Sequence, residues 1–313
     1  MIRAGVAGWD YADWDGVVSP RPRPRGFDPL VLLAEILDAV EVNMTFYRIP
    51  APTAAASWER RTRSRPDFRF TVKLPKTFTH DLPAARGLAA DPRAAAGGRG
   101  DSAPPSRDPD RDAALFRDAI APLADAGRLG GVLVQFPQSF HPGEKQRTLL
   151  VETLERFSDL RLVVEFRHAG WGSEDTAELL RSRGAGFCNI DQPRLPSTLG
   201  PTSLVTGPVA YVRLHGRNTE SWFREGAGRN NRYDYLYSSE ELEPWVATAR
   251  RIAEEGADTF VILNNHFRGN AVVNALQIKA ALEGGLVTVP EPLLAAYPAL
   301  STVAKPPEGR LPF

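Results

Sequence analysis

The chain has 313 residues, and its 38 Lys and Arg residues balance 38 Asp and Glu residues, so the formal net charge at pH 7 is zero. This balance argues against a polyanion-binding tail or a basic membrane-surface patch. The single cysteine, Cys188, excludes an intramolecular disulfide and fits a reducing compartment. No segment resembles a signal peptide or approaches the roughly 20 apolar residues of a membrane-spanning helix. We therefore expect a cytoplasmic protein that does not associate with membranes.

Short strands recur along the whole chain. They are rich in β-branched and aromatic residues and are bounded by Gly, Pro, Asn or Asp. We predict eight, at residues 2–7, 39–43, 68–73, 131–136, 161–166, 186–191, 209–214 and 259–264.

Helical patterns occupy most of the gaps between these strands. The helix predicted at 28–38 starts with an Asp N-cap followed by Pro at its first position, and the others lie at 53–63, 110–125, 144–157, 173–183, 239–255 and 270–282. Repeated alternation of strand and helix predicts an α/β fold, a (β/α)8 TIM-type barrel in a single domain. The alternative, a doubly wound open sheet, usually has a GxGxxG turn after its first strand. Residues 5–14, GVAGWDYADW, lack that spacing.

Three segments depart from the alternation. Residues 85–112 lack an apolar period and predict a flexible, disordered insertion after the third strand. Residues 217–233 form a second long loop, whose Trp222 and Phe223 could fold over a site. Residues 286–313 predict a C-terminal wrap. Both long loops follow strands on the face where such barrels build their active sites.

Strand alternation sends polar side chains into the barrel. Val164 and Phe166 share the face expected to meet the helices, so Glu165 and Arg167 point into the lumen. The same reasoning predicts polar residues near the other strand ends: Glu41, Asn43, Lys73, Gln135, Asn189, Asp191, Arg213, His215, Asn264 and Asn265. Barrel lumens are normally filled by Val, Ile and Leu, and buried ion pairs stabilise a fold poorly. The set predicts a polar pocket, with a register-fixing ion-pair network as the alternative.

The cations and amides of this set suit an anionic ligand, because Arg donates bidentate hydrogen bonds to anions. Lys73, Arg167 and Arg213 would hold the anion, and His80 could join them from the loop after the third strand.

The carboxylates suggest acid–base chemistry. Glu41, Glu165 and His215 are the candidate catalytic residues, since a carboxylate beside an imidazole can move protons. No cofactor motif is evident, because the histidines lack metal-binding spacing and there is no P-loop. A single divalent metal ion on Glu41, Glu165 and Asp191 is the open alternative.

Several runs give the chain a family resemblance: GVAGWDYADW (5–14), VEVNMTFYRIP (40–50), FRFTVKLPKTFTH (68–80), VVEFRHAGW (163–171), YVRLHGR (211–217) and NNHFRG (264–269). In these runs it resembles the YecE-like family, known as domain of unknown function 72. The resemblance spans almost the entire chain. It implies a TIM-type barrel of unassigned activity, and the family's likeness to apurinic-site endonucleases implies DNA as a ligand.

The resemblance also implies recurrent polar positions, here Glu41, Asn43, Tyr47, Lys73, His80, Gln135, Glu165, Arg167, Arg213, His215, Asn265 and Phe267. Most coincide with the inward set, and Tyr47 and Phe267 are added by the resemblance alone. Outside the three catalytic candidates, we expect these positions and Asp191 to bind the ligand. Met44 departs from the family, which has a small hydroxyl residue there.

Three functions remain open. The first is an enzyme acting on a phosphate-bearing or other anionic substrate, such as a phosphodiester hydrolase. The second is a nucleic-acid-binding or DNA-repair-associated protein without catalysis, which zero net charge disfavours. The third is a carbohydrate-active barrel with two catalytic carboxylates, which the abundant cations disfavour.

Overall fold

Eight parallel strands pair in chain order and close into a barrel in the computed structural model, which describes residues 1–80, 108–219 and 233–305. The strands are β1 Ile2–Ala7, β2 Ala39–Val42, β3 Arg69–Lys73, β4 Leu129–Gln135, β5 Leu162–Glu165, β6 Gly186–Asp191, β7 Val209–Leu214 and β8 Asp258–Leu263. Gly5 of β1 pairs with Ala39 on one side and with Ile262 on the other, which closes the barrel. The predicted TIM-type barrel is confirmed, and each predicted strand is correct to within two residues.

Helices follow every strand except β6 on the outside of the barrel, and residues 192–208 join β6 to β7 without a helix. The helices are α1 Pro29–Ile36, α2 Met44–Tyr47, α3 Pro52–Arg61, α4 Pro109–Asp125, α5 Glu144–Arg156, α6 Glu174–Ser182, α7 Ser239–Glu254 and α8 Asn270–Glu283. The Asp28 side chain caps α1 by accepting a hydrogen bond from Leu30 N at 2.9 Å. Among the described helices, none is long and apolar enough to cross a membrane.

The predicted insertion at 85–112 is wrong at its C-terminal end. Asp108 accepts hydrogen bonds from the backbone N–H groups of Asp110 and Arg111, and Pro109 occupies the first helical position. An N-cap followed by Pro starts a helix, so residues 109–112 belong to α4. The rest of the predicted insertion, residues 85–107, lies outside the described residues.

Residues after α8 add a small sheet to the barrel. Strand β9 (Val287–Thr288) pairs in parallel with β10 (Ala304–Lys305), and α9 (Glu291–Ala296) lies between them in sequence. The end of the predicted wrap, 306–313, falls outside the structure's description. The same holds for Trp222 and Phe223 of the predicted second loop.

Aromatic packing fills the space between the strands and the helices. Phe166 stacks against Phe136 and Trp171, with ring centroids 5.9 and 4.6 Å away. Trp171 Nε1 donates to Phe140 O at 2.6 Å, so its one polar group is satisfied inside the core. The apolar core therefore lies outside the barrel wall, which leaves the upper lumen to polar side chains.

The closest approach between β1 and β2 requires a glycine. A Cβ atom at Gly5 would lie 2.2 Å from Ala39 O, whereas one at the exposed Gly200 would meet nothing within 4 Å. We expect Gly5→Ala to lower the free energy of unfolding by roughly 1–3 kcal/mol through overpacking, and Gly200→Ala to leave it nearly unchanged. Urea unfolding of both variants checks this. Equal stabilities would contradict the tight β1–β2 contact.

Candidate functional site

A buried arginine lies at the centre of the upper lumen. Arg213 Nη2 and Nε donate to the Glu41 carboxylate at 2.6 and 3.0 Å, and Nη1 donates to Glu165 Oε2 at 2.9 Å. All three side chains are at most 1% exposed. Arg213 thereby joins β7 to β2 and β5. We call Glu41, Glu165, Arg167, Arg213 and His215 the lumen ion cluster.

Hydroxyl groups of Tyr211 and Thr71 form hydrogen bonds on the side of the cluster nearer the amino ends of the strands. Tyr211 OH donates to Glu41 Oε2 at 2.9 Å and accepts from Thr71 Oγ1 at 2.8 Å. Burial and the nearby Glu41 carboxylate raise the pKa of Tyr211 well above its ordinary value, so its hydroxyl remains a donor. Glu41 is thus held on both oxygens by partners from β7.

Glu165 receives a second guanidinium from the end of its own strand. Arg167 Nε and Nη2 lie 3.0 and 2.9 Å from Glu165 Oε1. Burial alone would raise the pKa of Glu165, but Arg213 and Arg167 hold it well below its usual value. Glu165 is therefore a carboxylate throughout the neutral range and a poor proton acceptor there.

His215 follows β7 and is fully buried. Asn264 Nδ2 lies 3.0 Å from His215 Nδ1, and His215 Nε2 lies 3.3 Å from both Glu165 Oε1 and Arg167 Nη2. Burial and the neighbouring Arg167 lower the pKa of His215 to about 3. The imidazole is therefore neutral near pH 7 and packs between the Glu165 carboxylate and the Arg167 guanidinium.

Lys73, at the end of β3, is the cation of the lumen that lacks a carboxylate partner among the described residues. Its Nζ donates to Gln135 Oε1 at 2.9 Å and lies 4.2 Å from the centroid of the Phe46 ring. Burial lowers the pKa of Lys73 to about 7, and the charge of Arg213 adds to this effect. The amine therefore titrates near neutral pH.

The Phe46 ring contacts Lys73 and two other predicted site residues. Tyr47 and His80 meet the Phe46 ring edge-on, at centroid distances of 5.1 and 4.9 Å. Burial and the nearby Lys73 lower the pKa of His80 to about 3, so its ring is neutral. Asn43 is half-buried at the start of α2, and its side chain has no hydrogen bond to a described residue.

The structure thus places nine predicted site residues at the carboxyl ends of β2, β3, β4, β5 and β7. They are Glu41, Asn43, Tyr47, Lys73, Gln135, Glu165, Arg167, Arg213 and His215, and His80 joins them from the turn after β3. Sequence reasoning missed Phe46 because a buried aromatic next to a strand looks like ordinary packing. The only available signal was its position in the turn directly after the Glu41 strand.

Asp191 lies outside the lumen, contrary to prediction. Ile190 pairs with Arg213 in the sheet, so Ile190 shares its inward direction and Asp191 points to the outer face. There, Asp191 Oδ2 accepts from Arg217 Nε at 2.8 Å and from Tyr237 OH at 2.6 Å. Asp191 is therefore separated from Glu41 and Glu165, the other two carboxylates proposed for a metal ion. Within the described ranges, no group of three or more His, Cys, Asp or Glu residues is arranged to hold one.

Three further predicted residues lie away from the cluster. Asn189 also points outward, and its Oδ1 accepts from Leu204 N at 2.8 Å. Asn265 Nδ2 donates to Asn274 Oδ1 at 2.8 Å, so Asn265 faces helix α8. Phe267 is half-buried and opens the short 3-10 turn that leads into α8. At the end of β8 it is Asn264, and not Asn265, that contacts the cluster.

A closed barrel of eight parallel strands with polar side chains at their carboxyl ends defines a TIM-type protein. The chain belongs to the family described as "Protein of unknown function DUF72", which matches residues 3–295.

Relatives of this family cover most of the chain. It is 26% identical over 292 residues to UPF0759 protein YunF of Bacillus subtilis, a match covering 90% of this chain and 95% of that protein. It is also similar to a DUF72 protein of known structure from Thermotoga maritima, at 34% identity, 90% and 99% coverage and a TM-score of 0.73. A second solved DUF72 protein, from Enterococcus faecalis, is 23% identical over 90% of this chain and 96% of that one. Its TM-score of 0.74 supports the fold.

Removing the central arginine would leave two buried carboxylates without their main partner. We expect Arg213→Met to lower the free energy of unfolding by about 3–5 kcal/mol at neutral pH. The matched variant Arg181→Met, which breaks an exposed pair with Glu174, should cost about 1 kcal/mol or less. Denaturant unfolding at neutral pH measures both.

In Arg213→Met, part of the pH dependence of the free energy of unfolding should be reversed. In the native protein the lowered pKa of Glu165 gives stability that is present above the unfolded-state pKa and lost as pH falls. Without Arg213 the buried carboxylate favours its protonated form, so mild acid should narrow the gap between Arg213→Met and the native protein. A gap that is constant with pH would contradict this electrostatic account.

Proposed function

We propose that the upper lumen binds a phosphate-bearing or other small anionic molecule, with Lys73 and Arg167 as its principal contacts. The charge balance of the site carries this proposal. Two buried carboxylates, Glu41 and Glu165, face two guanidinium groups, and the buried amine of Lys73 is left over without a carboxylate among the described residues. A bound anion would place a negative charge beside Lys73 and would favour its protonated form.

The exposure of the two arginines separates their roles. Arg213 is 1% exposed and fully engaged by Glu41 and Glu165, so we assign it to positioning the cluster. The Arg167 side chain is 11% exposed, so an anion could reach this guanidinium group while its Nε and Nη2 contact Glu165. Asn43 and Tyr47, both half-buried, are polar residues in the segment that follows β2.

We assign acid–base chemistry in this site to Lys73. A general base works best when its pKa lies near the working pH, and the pKa of Lys73 is about 7. The carboxylate of Glu165 and the neutral ring of His215 hold their protonation states through this range, which suits positioning. A phosphodiester hydrolase built on these residues would use the Lys73 amine to accept the proton of the attacking water.

Sulfate, which does not titrate near neutral pH, tests the site by calorimetry. Bound sulfate should raise the pKa of Lys73 from about 7, so binding takes up a proton and the affinity falls as pH rises above 7. Lys73→Met should weaken binding by about 1.5–3 kcal/mol and abolish proton uptake, because a charged hydrogen bond is lost. Titrations in two buffers with different ionisation enthalpies measure the uptake.

The control for this experiment is Lys76→Met, which removes the next lysine along the chain. It should bind sulfate with the affinity and proton uptake of the native protein. Sulfate binding that is unaffected by Lys73→Met would contradict the proposal.

Salt dependence distinguishes a small anion from a nucleic acid. A small anion in one pocket should lose affinity modestly as salt rises. A short DNA duplex that bound more tightly than sulfate, with affinity falling steeply with salt, would instead favour the nucleic-acid-binding alternative.

A further inference from the structure

We propose that the anion bound by this site also carries a carbonyl group, and that Lys73 Nζ attacks this group to form an imine. The inference rests on the proposed anion-binding function and specifies the substrate class: a 2-oxo acid, or an aldehyde or ketone bearing a phosphate group. Lys73 would then be a nucleophile as well as a proton carrier.

The position of the amine supports this role. Lys73 ends a barrel strand at the face where TIM barrels build active sites. Its Nζ contacts one amide oxygen, that of Gln135, and the face of Phe46, and among the described residues no carboxylate pairs with it. A carboxylate partner would keep the amine protonated and its lone pair unavailable. An amine buried beside other cations is instead activated as a nucleophile.

Charged groups from several elements act on this amine. Arg213 on β7 and Arg167 after β5 oppose its protonation, while Glu41 on β2 and Glu165 on β5 favour it. Burial decides the balance, and the pKa of Lys73 is lowered to about 7. The nearby His80 ring is neutral at that pH, since its own pKa is about 3. A substantial fraction of the protein therefore carries the free amine under neutral conditions.

The reaction needs no oxidant or reductant. The Nζ lone pair forms a bond to the carbonyl carbon while the C=O π electrons move to oxygen. The oxygen then leaves as water with both amine protons, and the C=N bond forms. A proton from solvent gives the iminium ion, which can donate to Gln135 Oε1 and lies over the Phe46 ring face, where a cation is favoured. Arg167 would hold the anionic group of the substrate.

The chain offers internal comparisons, because it contains only five lysines: Lys73, Lys76, Lys145, Lys279 and Lys305. Lys279 is paired with Asp38 and lies near Glu283. Lys145 is exposed at the start of α5. An imine that forms by site-specific chemistry should select Lys73 over all of them.

Reductive trapping tests the inference. The full chain is incubated near neutral pH with sodium cyanoborohydride and either glyoxylate, the smallest anionic aldehyde, or dihydroxyacetone phosphate, and the adduct is located by peptide mass spectrometry. Among the lysines, we expect one adduct, on Lys73, in the native protein and in Lys76→Arg. We expect none in Lys73→Arg, which keeps the charge and removes the nucleophile. Mapping on the native chain needs no variant to fold, and added sulfate should slow the reaction.

Two results would overturn the inference: no adduct with either compound, or modification of Lys76 and Lys145 at the same rate as Lys73. The failures of the two proposals are distinguishable. Sulfate binding with proton uptake but no Lys73 adduct would leave the anion site intact and remove the imine. The absence of both would remove the anion site as well.

Discussion

The bridge of Arg213 between Glu41 and Glu165 is the interaction on which the rest of the site depends. Each of these charges would cost several kcal/mol to bury alone. Hydrogen bonds of 2.6–3.0 Å to both carboxylates offset that cost and tie the ends of β2, β5 and β7 together. Because the bridge fixes these strand ends, it also fixes where Arg167 and His215 lie around Glu165. The site is thus an ion cluster with a cationic edge, in a barrel whose apolar core lies outside the wall.

The group that titrates near neutral pH is Lys73, and not Glu165 or His215, which the sequence suggested as catalytic residues. Glu165 is held as a carboxylate by two guanidinium groups, and burial beside Arg167 keeps His215 neutral. Lys73 experiences the same burial without a carboxylate partner among the described residues, and its pKa falls to about 7. In the same electrostatic arrangement, Glu165 and His215 keep their protonation states near neutral pH, whereas the Lys73 amine titrates there. Under the proposed function, anion binding would be coupled to proton uptake at that amine.

Strand alternation predicted most of this arrangement from the sequence. On β2, β3, β4, β5 and β7 the two faces differ sharply in polarity, so the inward positions of Glu41, Lys73, Gln135, Glu165 and Arg213 follow from period and composition. On β6 the rule that the polar face points inward fails, because Cys188 and Ile190 face the lumen and Asn189 and Asp191 point outward. Only its pairing with β7 shows that Ile190 and not Asp191 faces inward. Register across the sheet is a tertiary property that one strand does not encode.

Other parts of the site lay beyond sequence reasoning for a different reason. Whether converging charges form an open pocket or a closed network depends on ångström-scale distances between strands. In the structure, Arg213 forms ion pairs with Glu41 and Glu165, whereas Lys73 bonds to Gln135 and not to either carboxylate. Phe46 was overlooked because its role comes from the side chains that meet its ring, two of which belong to the β3 end.

The central claim is that Lys73 is half-protonated near neutral pH, and direct titration of this side chain tests it most directly. With 13C-labelled lysine, the Cε signal that disappears in Lys73→Arg identifies the residue, and its chemical shift is followed against pH. The account predicts a midpoint at about 7. A Lys73 that stays protonated up to the ordinary lysine range, at about 10.4, would contradict it.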